Sequence, residues 1–290
     1  MLFLKLGIAL SGGGTRGIAH AGVLKALEEN NVKIDIIGGT SSGALIASLY
    51  AMGFSPYYIY ILFKRYSKKL LELSSAPIIS GISNFILNKK VNLSGLNSGE
   101  DLEKVYNDLA LKKGIKIIKD INSIPLVIPT VDVENSKKYV ITNVIPEKIK
   151  NKEKYITDIT VGKAVRASSS FPAIFCPCEY KNHKFLDGGI LDNIPVIEVK
   201  KQGATKVIAV NFKADDITEE SNVMDIAMRT IDIMGNKISE DSLKQSDFIL
   251  TVETDKTGLL DVEKIDSCYR YGYRATINNI DKIKEIIYKN

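Results

Sequence analysis

Between Asp35 and Lys64 the chain carries no charged side chain, and any fold it adopts must cover that stretch. The stretch is not one continuous apolar segment. Ile34-Asp35-Ile36-Ile37 is a short β-branched run, Gly38-Gly39-Thr40-Ser41-Ser42-Gly43 is rich in turn formers, and residues 44–53 are apolar with helical character. The order is therefore strand, tight turn, helix. Gly53, Ser55 and Pro56 break the pattern before a second helical run. On length alone the uncharged stretch would cross a bilayer, but these breaks argue for a strand and helix covered on all sides by protein.

The turn Gly39-Thr40-Ser41-Ser42-Gly43 fits G-x-S-x-G. In that pattern glycines let strand and helix approach closely while the serine hydroxyl projects from a strained corner. The motif says little by itself, and a glycine turn that merely contains serines is the plain alternative. A similar unit precedes it. Residues 4–10 read as a first strand, followed by Ser11-Gly12-Gly13-Gly14-Thr15-Arg16-Gly17 and a helix from about residue 18 to 29. Gly12, Gly14 and Gly17 match G-x-G-x-x-G, and Asp35 falls near the distance of a ribose contact, so a nucleotide-binding oxidoreductase is one reading. The other pairs the two turns: Ser41 attacks an acyl carbonyl, and amides of the three-glycine run, with Arg16 beside them, receive the charge that develops on oxygen.

A serine needs a base, and the chain has only two histidines, His20 and His183. His20 lies one turn into the first helix, and His183, in what reads as an exposed turn, could act only with an earlier acid such as Asp132. Asp187, in Lys184-Phe185-Leu186-Asp187-Gly188-Gly189, follows a short apolar strand and is flanked by glycines. A carboxylate beside Ser41 could take its proton if burial raised its basicity. Asp-Gly is also a common turn signature.

The remaining chain supports a scaffold. A helix is expected over residues 100–113 with Ser98 as its cap, strands over 126–133 and 138–142, and a helix over 160–168. A buried strand over 206–212, a long helix over about 223–245, a strand over 247–253 and one closing helix over 269–289 complete it. No repeat or linker divides residues 1–290, so one domain is expected, with the motifs between about 5 and 212 and residues 213–290 completing the sheet. Residues 73–98 read as an irregular excursion with a lid role. Aromatic and basic residues over 57–69 could rest on an anionic membrane surface, with a helix packed by one face as the alternative. The net charge of +5 is not gathered into a nucleic-acid patch. Cys176, Cys178 and Cys268 are too few and too poorly accompanied for disulfides or zinc, and read as packing residues in a reducing, cytoplasmic setting. The apolar N-terminal run is expected as a buried strand rather than a signal peptide.

Together, Gly12-Gly13-Gly14-Thr15-Arg16-Gly17, Gly39-Thr40-Ser41-Ser42-Gly43 and Asp187-Gly188-Gly189 resemble, in order, the signature of the patatin-like phospholipase family. Ala167-Ser168-Ser169-Ser170-Phe171-Pro172 resembles a further family segment near the cleft. The resemblance implies a three-layer α/β/α sandwich with a mainly parallel central sheet, and a Ser-Asp dyad hydrolysing fatty acyl esters without calcium or any cofactor. It implies Ser41 as nucleophile, Asp187 as its base, and Gly12, Gly13, Gly14 and Arg16 as the oxyanion and anion loop. The substrate expected from it is a lipid or phospholipid acyl ester, met through transient contact with a membrane surface and with no nucleic acid involved. An acyltransferase or thioesterase would use the same dyad, and a silent lipid-binding module would keep the fold and hydrolyse nothing.

Overall fold

The computed structural model of the protein describes residues 4–72, 97–172, 174–213, 223–255, 257–258 and 261–288. The excursion expected to act as a lid, residues 73–98, lies outside them except for Asn97 and Ser98.

Five strands run parallel through the middle of one sheet: β1 (Leu6–Leu10), β2 (Ile36–Gly39), β3 (Leu126–Asp132), β8 (Lys206–Phe212) and β9 (Phe248–Val252). The order across the sheet is β5-β4-β3-β2-β1-β8-β9, with β4 (Lys137–Thr142) antiparallel to β3 and β5 (Tyr155–Ile156) closing that edge. β1, β2 and β3 read as near-continuous apolar runs because both faces of the sheet are covered, as parallel strands require. A hairpin, β6 (Cys178–Tyr180) and β7 (His183–Asp187), attaches through β7, antiparallel to β3.

The position of β7 matters most for the site. β2 pairs with the first half of β3, Ile37 opposite Leu126 and Gly38 opposite Val127, and then leaves the sheet. β7 pairs with the second half, Phe185 opposite Asp132 and Asp187 opposite Thr130. The hairpin thus takes up the edge of β3 that β2 vacates. Continued in register, β2 would have brought Ser41 opposite Thr130, the partner of Asp187. Pro129 sits at this junction, where its missing N–H costs no ladder bond to β2.

The larger core lies on the face covered by α1 (Ala19–Glu29), α2 (Ser42–Ala51), α3 (Pro56–Glu72), α4 (Glu100–Leu111), α5 (Val161–Ser168) and, near the C-terminus, α8 (Ile265–Ile277) and α9 (Ile280–Tyr288). The opposite face is covered by α6 (Val196–Lys201) and α7 (Val223–Leu243) over a small cluster of Ala9, Ile36, Ile194, Val196, Val199, Val207 and Ala209. These layers form the expected α/β/α arrangement, and the uncharged run divides into β2, α2 and the start of α3. Among the described residues no helix is long and apolar enough to cross a membrane. α3 leaves Tyr57, Tyr58 and Ile61 exposed, while Lys64 is paired with Asp266 at 2.6 Å.

Two local expectations change. The closing helix is two helices, because Asn278 and Asn279 interrupt it, the Asn279 side chain donating to the Ala275 carbonyl at 2.9 Å in competition with the helical ladder. The cap of α4 is Gly99 in the left-handed region, and Ser98 only supports it, accepting from the Glu100 amide at 3.3 Å.

Candidate active site

Ser41 stands at the corner between β2 and α2 with φ 54° and ψ −121°, a strained conformation for a residue with a side chain. The corner is this tight because its glycines have no room for a Cβ: one on Gly39 would lie 2.3 Å from the Gly43 carbonyl oxygen, and one on Gly43 would lie 2.4 Å from that of Leu10. Neighbouring groups hold the strain in place. The Ser41 amide donates to Ser168 Oγ at 3.0 Å, and Thr40 Oγ1 donates to the Asp192 carbonyl at 2.8 Å.

Asp187 ends β7 beside this corner and is 2% exposed. Its Oδ1 accepts from the Gly189 amide at 2.8 Å, and its amide donates to the Ser170 carbonyl at 3.1 Å. Its Oδ2 is buried and has no hydrogen-bond partner among the described residues. Burial pushes the carboxyl up to about 6, against the opposing pull of the nearby Ser41 side chain and the Gly189 amide. The Ala167–Phe171 stretch therefore grips both residues: Ser168 holds the Ser41 amide and Ser170 the Asp187 amide. Sequence reasoning noted this stretch without assigning it these bonds.

The glycine loop lies against Ser41. A Cβ on Gly12 would be 3.2 Å from the Ser41 Cβ. The Gly12 amide is already committed to Asn193, whereas the Gly13 and Gly14 amides donate to no acceptor among the described residues. Arg16 is buried, its Nε donating to the Gly13 carbonyl at 3.3 Å and its guanidinium lying over the Phe212 ring. It braces the loop from within the fold. His20 braces it from below: Nε2 lies 2.8 Å from the Ser11 carbonyl, an acceptor that requires the proton on Nε2. Burial pushes His20 down to about 4 despite that bond, so it stays neutral at physiological pH.

His183 meets the acid that would orient it, with Nδ1 2.6 Å from Asp132 Oδ2, but at the wrong end of β7. Four strand residues, about 13 Å of extended chain, separate it from Asp187. It is a strand residue, stacked on Phe185 and tilted against Tyr139, not a turn residue. Asp35 is equally misplaced for a ribose: it precedes β2, at the end of the strand away from the glycine turns, and accepts from the Leu6 amide at 2.9 Å. Among the described residues no three His, Cys, Asp or Glu side chains gather as a metal site.

The loop after Asp187 was legible only as a turn, yet it ties the site to the sheet. Asp192 pairs with Lys138 at 2.8 Å, and the same ammonium reaches Glu198 at 2.9 Å. Burial pushes Asp192 up although Lys138 opposes it, while the ammonium groups of Lys138 and Lys201 and the Tyr155 hydroxyl hold Glu198 down in spite of burial. The signal that could have found Asn193 is its place between an acid and Ile194-Pro195, four residues after the glycine pair.

Residues 8–200 match the family described as patatin-like phospholipase. The chain is 28% identical over 312 residues to lysophospholipase NTE1 of Scheffersomyces stipitis, covering 96% of this chain and 18% of that protein. To lysophospholipase NTE1 of Debaryomyces hansenii it is 31% identical over 220 residues, covering 73% of this chain and 12% of that protein. The chain thus spans less than a fifth of the length of these relatives. Among solved structures, VipD from Legionella pneumophila superposes with a TM-score of 0.51 at 14% identity, covering 97% of this chain and 67% of that one, which is a likeness of fold.

Proposed function

Since the chain belongs to the patatin-like phospholipase family, we propose that it is a serine lipid acyl hydrolase in which Ser41 and Asp187 act as a two-residue machine. The observation that carries this reading is the buried Oδ2 of Asp187, unpartnered beside a serine held at positive φ. Ser41 Oγ attacks the ester carbonyl as its proton passes to Asp187 Oδ2. The tetrahedral oxyanion is received by the Gly13 and Gly14 amides, which donate to no acceptor among the described residues, with Gly12 and Arg16 shaping that loop. Collapse expels the alcohol, which takes the proton from Asp187 and leaves an acyl ester on Ser41. Water then gives its proton to Asp187 and attacks the acyl carbon, and return of that proton to Ser41 Oγ releases the fatty acid.

The substrate class follows the relatives called lysophospholipases: a phospholipid bearing one acyl chain, met at a lipid surface. Nothing in this scheme calls for a metal or an organic cofactor. The test is hydrolysis of a short-chain p-nitrophenyl ester and of lysophosphatidylcholine micelles with calcium chelated, by the wild type and by Ser41→Ala. Activity on both, lost in the folded variant, is the expected result. An inactive wild type, or an active Ser41→Ala, overturns the reading.

A further inference from the structure

Gly12 is fastened to the acid-bearing loop through one residue. Its N–H is shared between the Asn193 carbonyl oxygen at 3.2 Å and the Asn193 side-chain Oδ1 at 3.1 Å. The backbone of Asn193 is itself fixed from both sides. Before it, the Asp192 carboxylate is locked to Lys138 and its carbonyl to Thr40; after it, the Ile194 carbonyl accepts from Ser242 Oγ of α7 at 2.8 Å. The loop therefore has its own anchors, and the side chain is left to act on Gly12. A Cβ on Gly12 would lie 2.6 Å from Asn193 Oδ1 and 3.2 Å from the Ser41 Cβ, so Gly12 sits between the amide and the nucleophile.

We propose that Asn193 is a positioning residue: its Oδ1 fixes the plane of the Gly12 peptide and so aims the Gly13 and Gly14 amides at the carbonyl that Ser41 attacks. The inference rests on the reading of Ser41 as nucleophile. Such donors accelerate reaction only when they are already oriented, because reorienting them during the step would consume the stabilisation they give. With the side chain gone, the Asn193 carbonyl still holds Gly12, but one contact in place of two leaves the peptide free to tilt.

The residue type has its own logic. A Cβ on Gly189 would be 3.0 Å from Asp187 Oδ1 and 3.1 Å from Asn193 Oδ1, which places these oxygens no more than about 6 Å apart. At that range a carboxylate in place of the amide would oppose ionisation of Asp187. A neutral acceptor can orient Gly12 without disturbing the base.

The test compares Asn193→Ala and Asn193→Asp with the wild type in steady-state hydrolysis of a soluble p-nitrophenyl ester, in thermal melting, and in the rate at which a fluorophosphonate labels Ser41. Asn193→Ala is expected to lose about 10- to 100-fold in kcat, with KM within about twofold and an unchanged melting temperature. Asn193→Asp restores the acceptor oxygen and should recover most of the rate above pH 8, with its acid limb displaced to higher pH. Labelling should follow the same order. Should Asn193→Ala fail to fold, Asn193→Ser, whose hydroxyl is too short to reach Gly12, takes its place. Wild-type kcat in Asn193→Ala, or an Asp variant as slow as the Ala variant at every pH, overturns the proposal. A wild type that labels but hydrolyses no ester overturns the hydrolase reading alone, since the labelling order still decides the role of Asn193. If the wild type does neither, both fall.

Discussion

Strand β7 carries an acid–base group at each end, and the two ends have opposite fates. At the hairpin end His183 has an imidazole 2.6 Å from a buried carboxylate, but it lies about 13 Å of extended strand from Asp187 and the serine corner. At the other end Asp187 has no histidine, yet its unpartnered oxygen stands beside a strained serine. Good hydrogen bonding marks the hairpin end, and incomplete hydrogen bonding marks the end proposed for the chemistry. A well-partnered carboxylate such as Asp132, which accepts from His183, Asn135 and the Glu134 amide, ties the hairpin to the end of β3. A buried carboxylate left one bond short is costly to fold and ready to react.

The sharpest way to break this contrast is Ser41→Ala, expected to lower kcat by about 10⁴-fold or more in a protein that still melts cooperatively. Asp187→Asn should lose about 10²- to 10⁴-fold, the range of a general base. It should also gain stability. Because the folded-state pKa of Asp187 is raised from 3.8 to about 6, the folded chain binds more protons than the unfolded one between those values. Its contribution to stability is therefore present at low pH and is lost as pH rises through about 6. Urea unfolding of Asp187→Asn against the wild type should show a gain at pH 8 on the order of 2 kcal/mol, and little at pH 4.

The wild-type pH profile sharpens the same point at smaller cost to activity. Under the proposed reading, in which the ionised carboxylate is the base, kcat/KM should rise with pH about a midpoint near 6 while stability contributed by this group falls. A flat profile from pH 5 to 8 would remove Asp187 from that role. The smallest expected effect is that of His183→Ala: activity within about twofold of wild type, with a loss of about 1–3 kcal/mol in urea unfolding because Asp132 gives up a partner. A large loss of kcat there would return the histidine to the mechanism.

How much of this was legible in the sequence depends on the range of the forces involved. The glycine turns announced themselves because only glycine fits where Gly39 and Gly43 meet backbone atoms at 2.3 and 2.4 Å, and the strand–turn–helix order around Ser41 followed from local pattern. The break between α8 and α9 at two asparagines was missed because the apolar spacing continues across it. Asn193 and Ser168 were missed as gripping residues because their partners lie 181 and 127 positions away along the chain.

By itself, the sequence determined that Ser41 stands at a tight strand-to-helix corner, that a glycine run opens the first helix, and that an aspartate between an apolar strand and two glycines is a candidate partner. It favoured Asp187 over His183 as the partner of the serine but could not give their positions, since the two are four residues apart on one strand. Tertiary structure decided that through register. β2 leaves the edge of β3 after Gly39, β7 enters the vacated edge with Asp187 opposite Thr130, and that pairing carries Asp187 to Ser41 while it carries His183 away. Strand register is fixed by burial of a whole face against distant elements, so it is a property of the packed molecule and not of any one stretch of chain.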